Sequence, residues 1–136
     1  MKSCTFFGHK DCDWNVEKSL TAEVEKLINE GVKNYYIGYN GSFDRIALHA
    51  VNELKKIYNE INVYVVLSYL EDGKKFEQTI FPEGIENVPK RFAIDYRNKW
   101  MVENSEYVIS YIRRTYGGAY KFVSLAKRKG KVIIEL

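Results

Sequence analysis

The hydrophobic positions of the chain fall into short continuous runs, which are separated by longer segments with helical periodicity. Runs of apolar, β-branched or aromatic residues predict strands at residues 4–7, 35–37, 63–67, 107–112 and 132–136. Most of these runs are continuous and not alternating, so they are typical of strands that are buried on both faces. The pattern therefore favours a parallel sheet covered by helices.

Apolar residues at helical spacing predict amphipathic helices between these strands. One stripe lies within residues 16–28, a second within 43–57 and a third within 118–126. Strands that alternate with helices of this length form right-handed βαβ units. The predicted fold is α/β, a Rossmann-like three-layer sandwich with a mostly parallel sheet of about five strands, in a single domain over residues 1–136.

The segment 71–104 interrupts this alternation. Asp72-Gly73 predicts a turn, and residues 76–81 predict either a short extra strand or an extended segment. A helix is expected from Pro89 to about Val102, because proline is favoured at the first position of a helix. The number of strands depends on whether residues 76–81 join the sheet.

Composition narrows the classes of function. The 136 residues are 46% hydrophobic, which is enough for a core without metal or disulfide staples. With 21 basic and 18 acidic residues, the net charge of +3 permits a charged partner without demanding one. Only Cys4 and Cys12 are present, and neither a Cys-x-x-Cys pair, a secretion signal nor a membrane span is visible. These features predict a cytoplasmic protein without metal or cofactor.

The segment 35–44 carries the strongest local indication of function. A predicted strand runs into Gly38 and Gly41, and a helix follows from Ser42 or Phe43. Glycines permit a positive φ and close approach to a ligand, while the first amides of a helix attract negative charge. The segment therefore predicts a phosphate cradle, although a plain strand-to-helix connection capped by Ser42 or Asn40 has the same residues.

Residues that follow the other strands are expected at the same edge of the sheet, where open α/β sheets bind ligands. Only one of Arg91 and Arg97 is expected to point into the pocket, since two residues six apart on one helix do not share a face. Arg97 is preferred because Asn98 accompanies it. Asp44 is a candidate for orienting a ribose. The predicted ligand-binding residues are Gly8, His9, Lys10, Gly38, Asn40, Gly41, Ser42, Asp44, Arg97, Arg113, Gly117 and Gly118.

An ordered set of motifs covers nearly the whole chain, at residues 4–12, 40–44, 82–84, 89–94, 97–101, 117–122 and 126–130. Together they resemble the DUF1273-like (YpsA-like) branch of the SLOG superfamily. Its relatives include the cytokinin-activating LOG phosphoribohydrolases and the DNA-processing DprA proteins. The resemblance implies a Rossmann-like pocket for a nucleotide or a nucleotide-derived signal, in a sensor or regulatory module.

The chain departs from the LOG motif Pro-Gly-Gly-x-Gly-Thr-x-x-Glu, whose Glu assists N-glycosidic cleavage. The corresponding residues 116–123 contain neither the Thr nor the Glu, and Lys121 adds a positive charge near the start of the helix. The resemblance therefore implies the pocket and not the hydrolase activity. If a nucleoside monophosphate is hydrolysed, the candidate carboxylates are Asp44, Glu83 and Asp95.

The sequence permits two further partners, single-stranded nucleic acid and a second copy of the chain. Single-stranded nucleic acid would bind through Lys127–Lys131 and the Arg113-Arg114 pair, as the resemblance to DprA implies, but the modest net charge argues against it. The aromatic content of 15% exceeds what one pocket needs, so some of the rings are expected to line a homodimer surface.

Overall fold

The computed structural model describes residues 2–136 and contains a six-stranded sheet flanked by helices. The strands are β1 (Ser3–Gly8), β2 (Asn34–Ile37), β3 (Asn62–Val66), β4 (Thr79–Ile80), β5 (Tyr107–Tyr111) and β6 (Val132–Glu135). The helices are α1 (Glu17–Asn29), α2 (Ser42–Lys55), α3 (Ala93–Glu103) and α4 (Gly118–Arg128). Within residues 2–136, none of the helices has the length and apolar character needed to cross a bilayer.

The strand order is β4-β3-β2-β1-β5-β6, and every pairing in the sheet is parallel. The predicted Rossmann-like α/β architecture is therefore confirmed. Because β2 to β4 extend to one side of β1 and β5 and β6 to the other, the strand order reverses at β1. In an open α/β sheet, this reversal leaves a crevice beyond the carboxyl ends of the two central strands.

Successive residues of β1 point into two different cores, which explains why its sequence is apolar without alternation. Phe6 is fully buried in the core formed by α1 and α2, with neighbours such as Leu20 and Ile46. Phe7 lies in the second core, beneath α3 and α4, where its ring stacks on Phe122 with centroids 5.8 Å apart. The sheet is thus covered on both faces, as the continuous apolar runs predicted.

The segment between β3 and β5 differs in part from the sequence-based prediction. The short extra strand is present as β4, which makes six strands, while Asp72-Gly73 lies within the 3-10 segment Leu70–Lys75 and not in a tight turn. Pro89 is extended, with φ −53° and ψ 140°, and a 3-10 turn over Lys90–Phe92 precedes α3. Arg91 therefore lies outside the helix that carries Arg97, and the two were wrongly placed on one helix.

Candidate functional site

A cleft of about 350 Å³ lies at the carboxyl ends of the strands, next to the point where the strand order reverses. Its walls come from the end of β1, the turn after β2, the inner side of α3 and the loop between β5 and α4. The lining residues are Phe6, Phe7, Gly8, His9, Lys10, Asn40, Asp44, Ile94, Asp95, Arg97, Asn98, Met101, Arg114, Gly117, Gly118 and Ala119. Most of the predicted ligand-binding residues are therefore brought together here.

The turn between β5 and α4 is open to the cleft. Gly117 precedes the helix with φ 94° and ψ 174°, and a Cβ added at Gly117 or Gly118 would meet no atom within 4 Å. Within residues 2–136, no side chain caps the first turn of α4. Because the first amides of a helix have no partner inside it, those at the start of α4 are available to an anion in the cleft.

The turn between β2 and α2 has a similar backbone but is closed by the end of β1. Gly41 has φ 105° and ψ 179°, and a Cβ added there would lie 2.6 Å from the Cα atom of Lys10. The amide of Ser42 donates to the carbonyl of Lys10 at 3.0 Å, and its hydroxyl donates to the carbonyls of Lys10 and Cys12. Gly41 and Ser42 consequently lie outside the cleft lining, and the Ser42 amide is already bonded.

Gly38 is required for space and not for a positive φ, so that part of the prediction is wrong. A Cβ added at Gly38 would lie 2.9 Å from Asp44 Oδ2 and 3.2 Å from Arg97 Cζ. The amide of Asn40 donates to Asp44 Oδ2 at 2.8 Å. In this turn, therefore, the Asn40 amide that the predicted cradle would offer to phosphate already donates to the Asp44 carboxylate.

Arg97 holds the ends of two strands against α3. Its side chain is only 2% exposed, and it donates to Asn40 Oδ1 at 2.7 Å, to the Val66 carbonyl at 3.3 Å and to Asn98 Oδ1 at 2.8 Å. Burial lowers the pKa of this guanidinium, while the negative charge of Asp44 acts in the opposite direction. The preference for Arg97 as a cleft residue agrees with its position, but its donors are largely engaged within the protein.

The carboxyl group of Asp44 has a raised pKa. Burial raises its pKa to about 6, although the bonded amide of Asn40 and the charge of Arg97 favour the ionised form. A carboxyl group in a cleft with such a pKa can accept or donate a proton at physiological pH.

The ends of β1 and β5 are joined by a buried histidine. His9 Nε2 accepts a hydrogen bond from the Arg113 amide at 2.8 Å, so the neutral ring carries its proton on Nδ1. Burial, together with the charge of Arg114, lowers the pKa of His9 and favours this neutral form. The imidazole therefore positions the β5 loop at the cleft wall.

The cation from this loop that reaches the cleft is Arg114 and not Arg113. The guanidinium of Arg113 packs over the Tyr111 ring at 4.1 Å and donates to the Leu136 carbonyl at 2.9 Å, outside the cleft. Arg114 lines the cleft and forms an exposed ion pair with Asp11 at 3.3 Å. Sequence reasoning named Arg114 only as a nucleic-acid contact and chose Arg113 for the small-molecule site, because the direction of each side chain beyond a strand end depends on the turn. The adjacent pair of arginines was its only signal.

The remaining predicted residues are divided between the cleft and the surface. Lys10 is exposed at the cleft, and Gly8 lies against the Phe43 ring, where a side chain would not fit. Glu83 is exposed and outside the cleft, whereas Asp95 lines it and pairs with Lys121 at 3.0 Å. Lining residues outside the predicted ligand-binding set are Phe6, Phe7, Ile94, Asp95, Asn98, Met101, Arg114 and Ala119. Within residues 2–136, no three His, Cys, Asp or Glu side chains are grouped so as to hold a metal ion.

Comparison with known proteins supports the resemblance inferred from the motifs. The sequence matches the YpsA family model, described as the YspA SLOG family, over residues 2–88. No curated protein matched the chain. The matched region contains β1 to β4 and the closed turn before α2, whereas α3, β5 and α4 follow it. Since the match covers more than half of the chain, this protein belongs to the YspA SLOG family.

Proposed function

We propose that the cleft binds a nucleotide or a nucleotide-derived small molecule, and that the protein acts as a sensor or regulatory module. The observation that carries this proposal is the uncapped start of α4, which opens into a cleft beside the switch in strand order. A phosphate group would accept hydrogen bonds from the amides around Gly118 and Ala119. Lys10 and Arg114, which also line the cleft, would add positive charge.

Other lining residues suit the uncharged part of such a ligand. Asp44 and Asn98 offer acceptors to sugar hydroxyl groups, and the partly exposed Ile94 provides an apolar contact for a base. Pockets for small ligands commonly enclose about 300–1,000 Å³. The volume of about 350 Å³ therefore favours a mononucleotide-sized molecule. Membership of a SLOG family supports the same class of ligand.

Two substitutions of one residue test the phosphate position. Gly118→Asp places a carboxylate at the first turn of α4, whereas Gly118→Ala adds a methyl group with no charge. Both variants should fold, since Gly118 has no positive φ, its Cβ site is empty, and an acid at a helix start is favourable by about 0.3–1 kcal/mol.

Binding is measured by thermal shift and calorimetry with nucleoside monophosphates, cyclic nucleotides and ADP-ribose. A compound at a hundred times its dissociation constant should stabilise the parent by about 2.7 kcal/mol. Gly118→Asp should weaken binding at least about tenfold through charge repulsion, and Gly118→Ala should stay within about twofold. The proposal fails if none of these compounds stabilises the parent, or if a folded Gly118→Asp variant binds with unchanged affinity.

A second candidate function is the hydrolysis of the N-glycosidic bond of a nucleoside monophosphate. The specific observation in its favour is Asp44, a cleft carboxyl group with a pKa of about 6. Its ionised form would take a proton from a water molecule as that water attacks the sugar carbon and the base departs. This assignment replaces the missing LOG glutamate with a carboxylate from another turn.

Release of free base from AMP, followed by chromatography, tests this activity. Asp44→Asn should abolish turnover while keeping an acceptor oxygen for the Asn40 amide. Glu83→Gln is the matched control, because Glu83 is exposed and outside the cleft. Turnover that survives Asp44→Asn would exclude this role, and absence of turnover in the parent would exclude the activity.

A further inference from the structure

An apolar groove of about 410 Å³ lies between α3 and α4, on the outer side of the helices that cover one face of the sheet. Phe92 and Tyr96 line one side of the groove, Leu125 lies on the other, and the buried Phe122 contributes to its lining. The Phe92 side chain is 48% exposed, although it is among the largest apolar groups of the chain. Exposed aromatic surface of this kind is typical of an interaction site.

Positive charge surrounds this groove. Lys99, Lys121 and Arg128 line it, and the Arg91 guanidinium lies 4.7 Å from the centroid of the Phe92 ring. Asp95 is the one acidic lining residue, and it is already paired with Lys121, while Lys99 forms a long, exposed ion pair with Glu103 at 4.0 Å. Within residues 2–136, Arg128 has no carboxylate partner. Since the whole chain has a net charge of only +3, the groove is a local concentration of basic residues.

We propose that the α3–α4 groove docks an acidic amphipathic segment of a partner protein. Apolar side chains of that segment would enter between Phe92 and Leu125, and its carboxylates would meet Lys99 and Arg128. Grooves between helices commonly bind the apolar face of an amphipathic helix, and opposite charges at the rim select the partner and speed association. Exposed aromatic and arginine side chains are the residues that contribute most to such interfaces.

The charge distribution favours this occupant over a second copy of the chain. A two-fold interface places the same patch of both copies face to face. Here it would bring the basic rim of one groove against the basic rim of the other, which is unfavourable. An acidic segment instead neutralises the rim while it covers the apolar floor.

The test uses a fluorescein-labelled synthetic peptide with Leu and Phe on one helical face and Glu on the other, measured by fluorescence anisotropy at low salt. A second peptide has Lys in place of every Glu. The acidic peptide should bind, and Arg128→Glu combined with Lys99→Glu should weaken it at least about tenfold. Lys18→Glu, at an exposed position of α1 on the opposite side of the sheet, is the matched control and should change affinity less than about twofold.

Phe92→Ala tests the apolar component and should weaken binding several-fold without loss of fold, since Phe92 is half exposed. The proposal is overturned if the acidic peptide does not bind up to about 1 mM, if the lysine peptide binds as well, or if charge reversal at Arg128 and Lys99 has no more effect than at Lys18. Sedimentation of the protein alone provides a further check. A dimer that Phe92→Glu dissociates would assign the groove to a second copy and would also overturn the proposal.

Discussion

The two glycine turns that lead from the sheet into α2 and α4 have nearly the same backbone but opposite surroundings. Gly41 and Gly117 differ by only about ten degrees in φ, at 105° and 94°. The first turn packs against the end of β1, and the amides of Asn40 and Ser42 are bonded within the protein. The second turn is uncapped and lines the cleft.

The comparison shows that two glycine turns with nearly the same backbone can be either closed by bonds within the protein or left open to a cleft. The difference lies in the following residues: Ser42 bonds to the chain after β1, and Asp44 bonds back to Asn40. At the second turn, glycine and alanine occupy the first two helical positions and offer no such side chain. The turn with more polar side chains is therefore the one that closes on itself.

The largest expected effect on stability comes from adding a methyl group at the glycine of each turn. The positive φ should make either Gly41→Ala or Gly117→Ala cost about 1–3 kcal/mol of unfolding free energy. Gly41→Ala should cost about 1–3 kcal/mol more, because its Cβ would contact the Lys10 backbone. Urea denaturation of both variants measures the difference. Equal losses would mean that the first turn is no more tightly packed than the second.

Arg97→Met should destabilise the protein by about 3–5 kcal/mol, because it leaves buried acceptors on Asn40 and Val66 unpaired and removes the charge near Asp44. Arg91→Met is the control, since Arg91 is exposed and should change stability by less than about 0.5 kcal/mol. Both values come from the same denaturation experiment. A loss at Arg97 as small as that at Arg91 would remove its role in holding the closed turn.

Asp44 should give the closed turn a pH dependence. Its pKa is about 6 in the folded protein and near the usual 3.8 when unfolded, so the folded state binds more protons between these values. The unfolding free energy of the parent should therefore fall as pH rises from about 4 to 7, by about 2 kcal/mol relative to Asp44→Asn. Denaturation at several pH values measures this difference, and parallel curves for the two proteins would contradict it.

The smallest effects should have opposite signs at the two turns. Ser42→Ala removes a hydroxyl that donates to two carbonyls and should cost about 1 kcal/mol. Gly118→Ala should instead stabilise by about 0.4–1 kcal/mol, because the added methyl group has open space and restricts the unfolded chain. Thermal unfolding of the two variants and the parent measures both changes in stability. Destabilisation by Gly118→Ala would show that the space beside Gly118 is not open.

The sequence predicts the parallel sheet well because burial on both faces leaves a continuous apolar run in strands such as β1 and β5. It does not settle β4, which has only two residues and no pattern of its own. The edge at which the cleft lies is also predictable, since it follows from the order of strands and helices. By contrast, no local pattern predicts which of Arg113 and Arg114 reaches the cleft. Nor does it predict that the Ser42 amide donates to the Lys10 carbonyl, because both depend on contacts between distant segments.

The central position of β1 also sets the order in which the two turns can be completed during folding. Ser42 and Lys10, which close the first turn, are 32 positions apart, whereas His9 and Arg113, which fix the wall of the cleft, are 104 positions apart. Contacts over longer separations cost more loop entropy and generally form more slowly. A chain growing from its N-terminus therefore holds the residues of the closed turn long before β5 exists. The cleft is complete only when β5 has docked on β1.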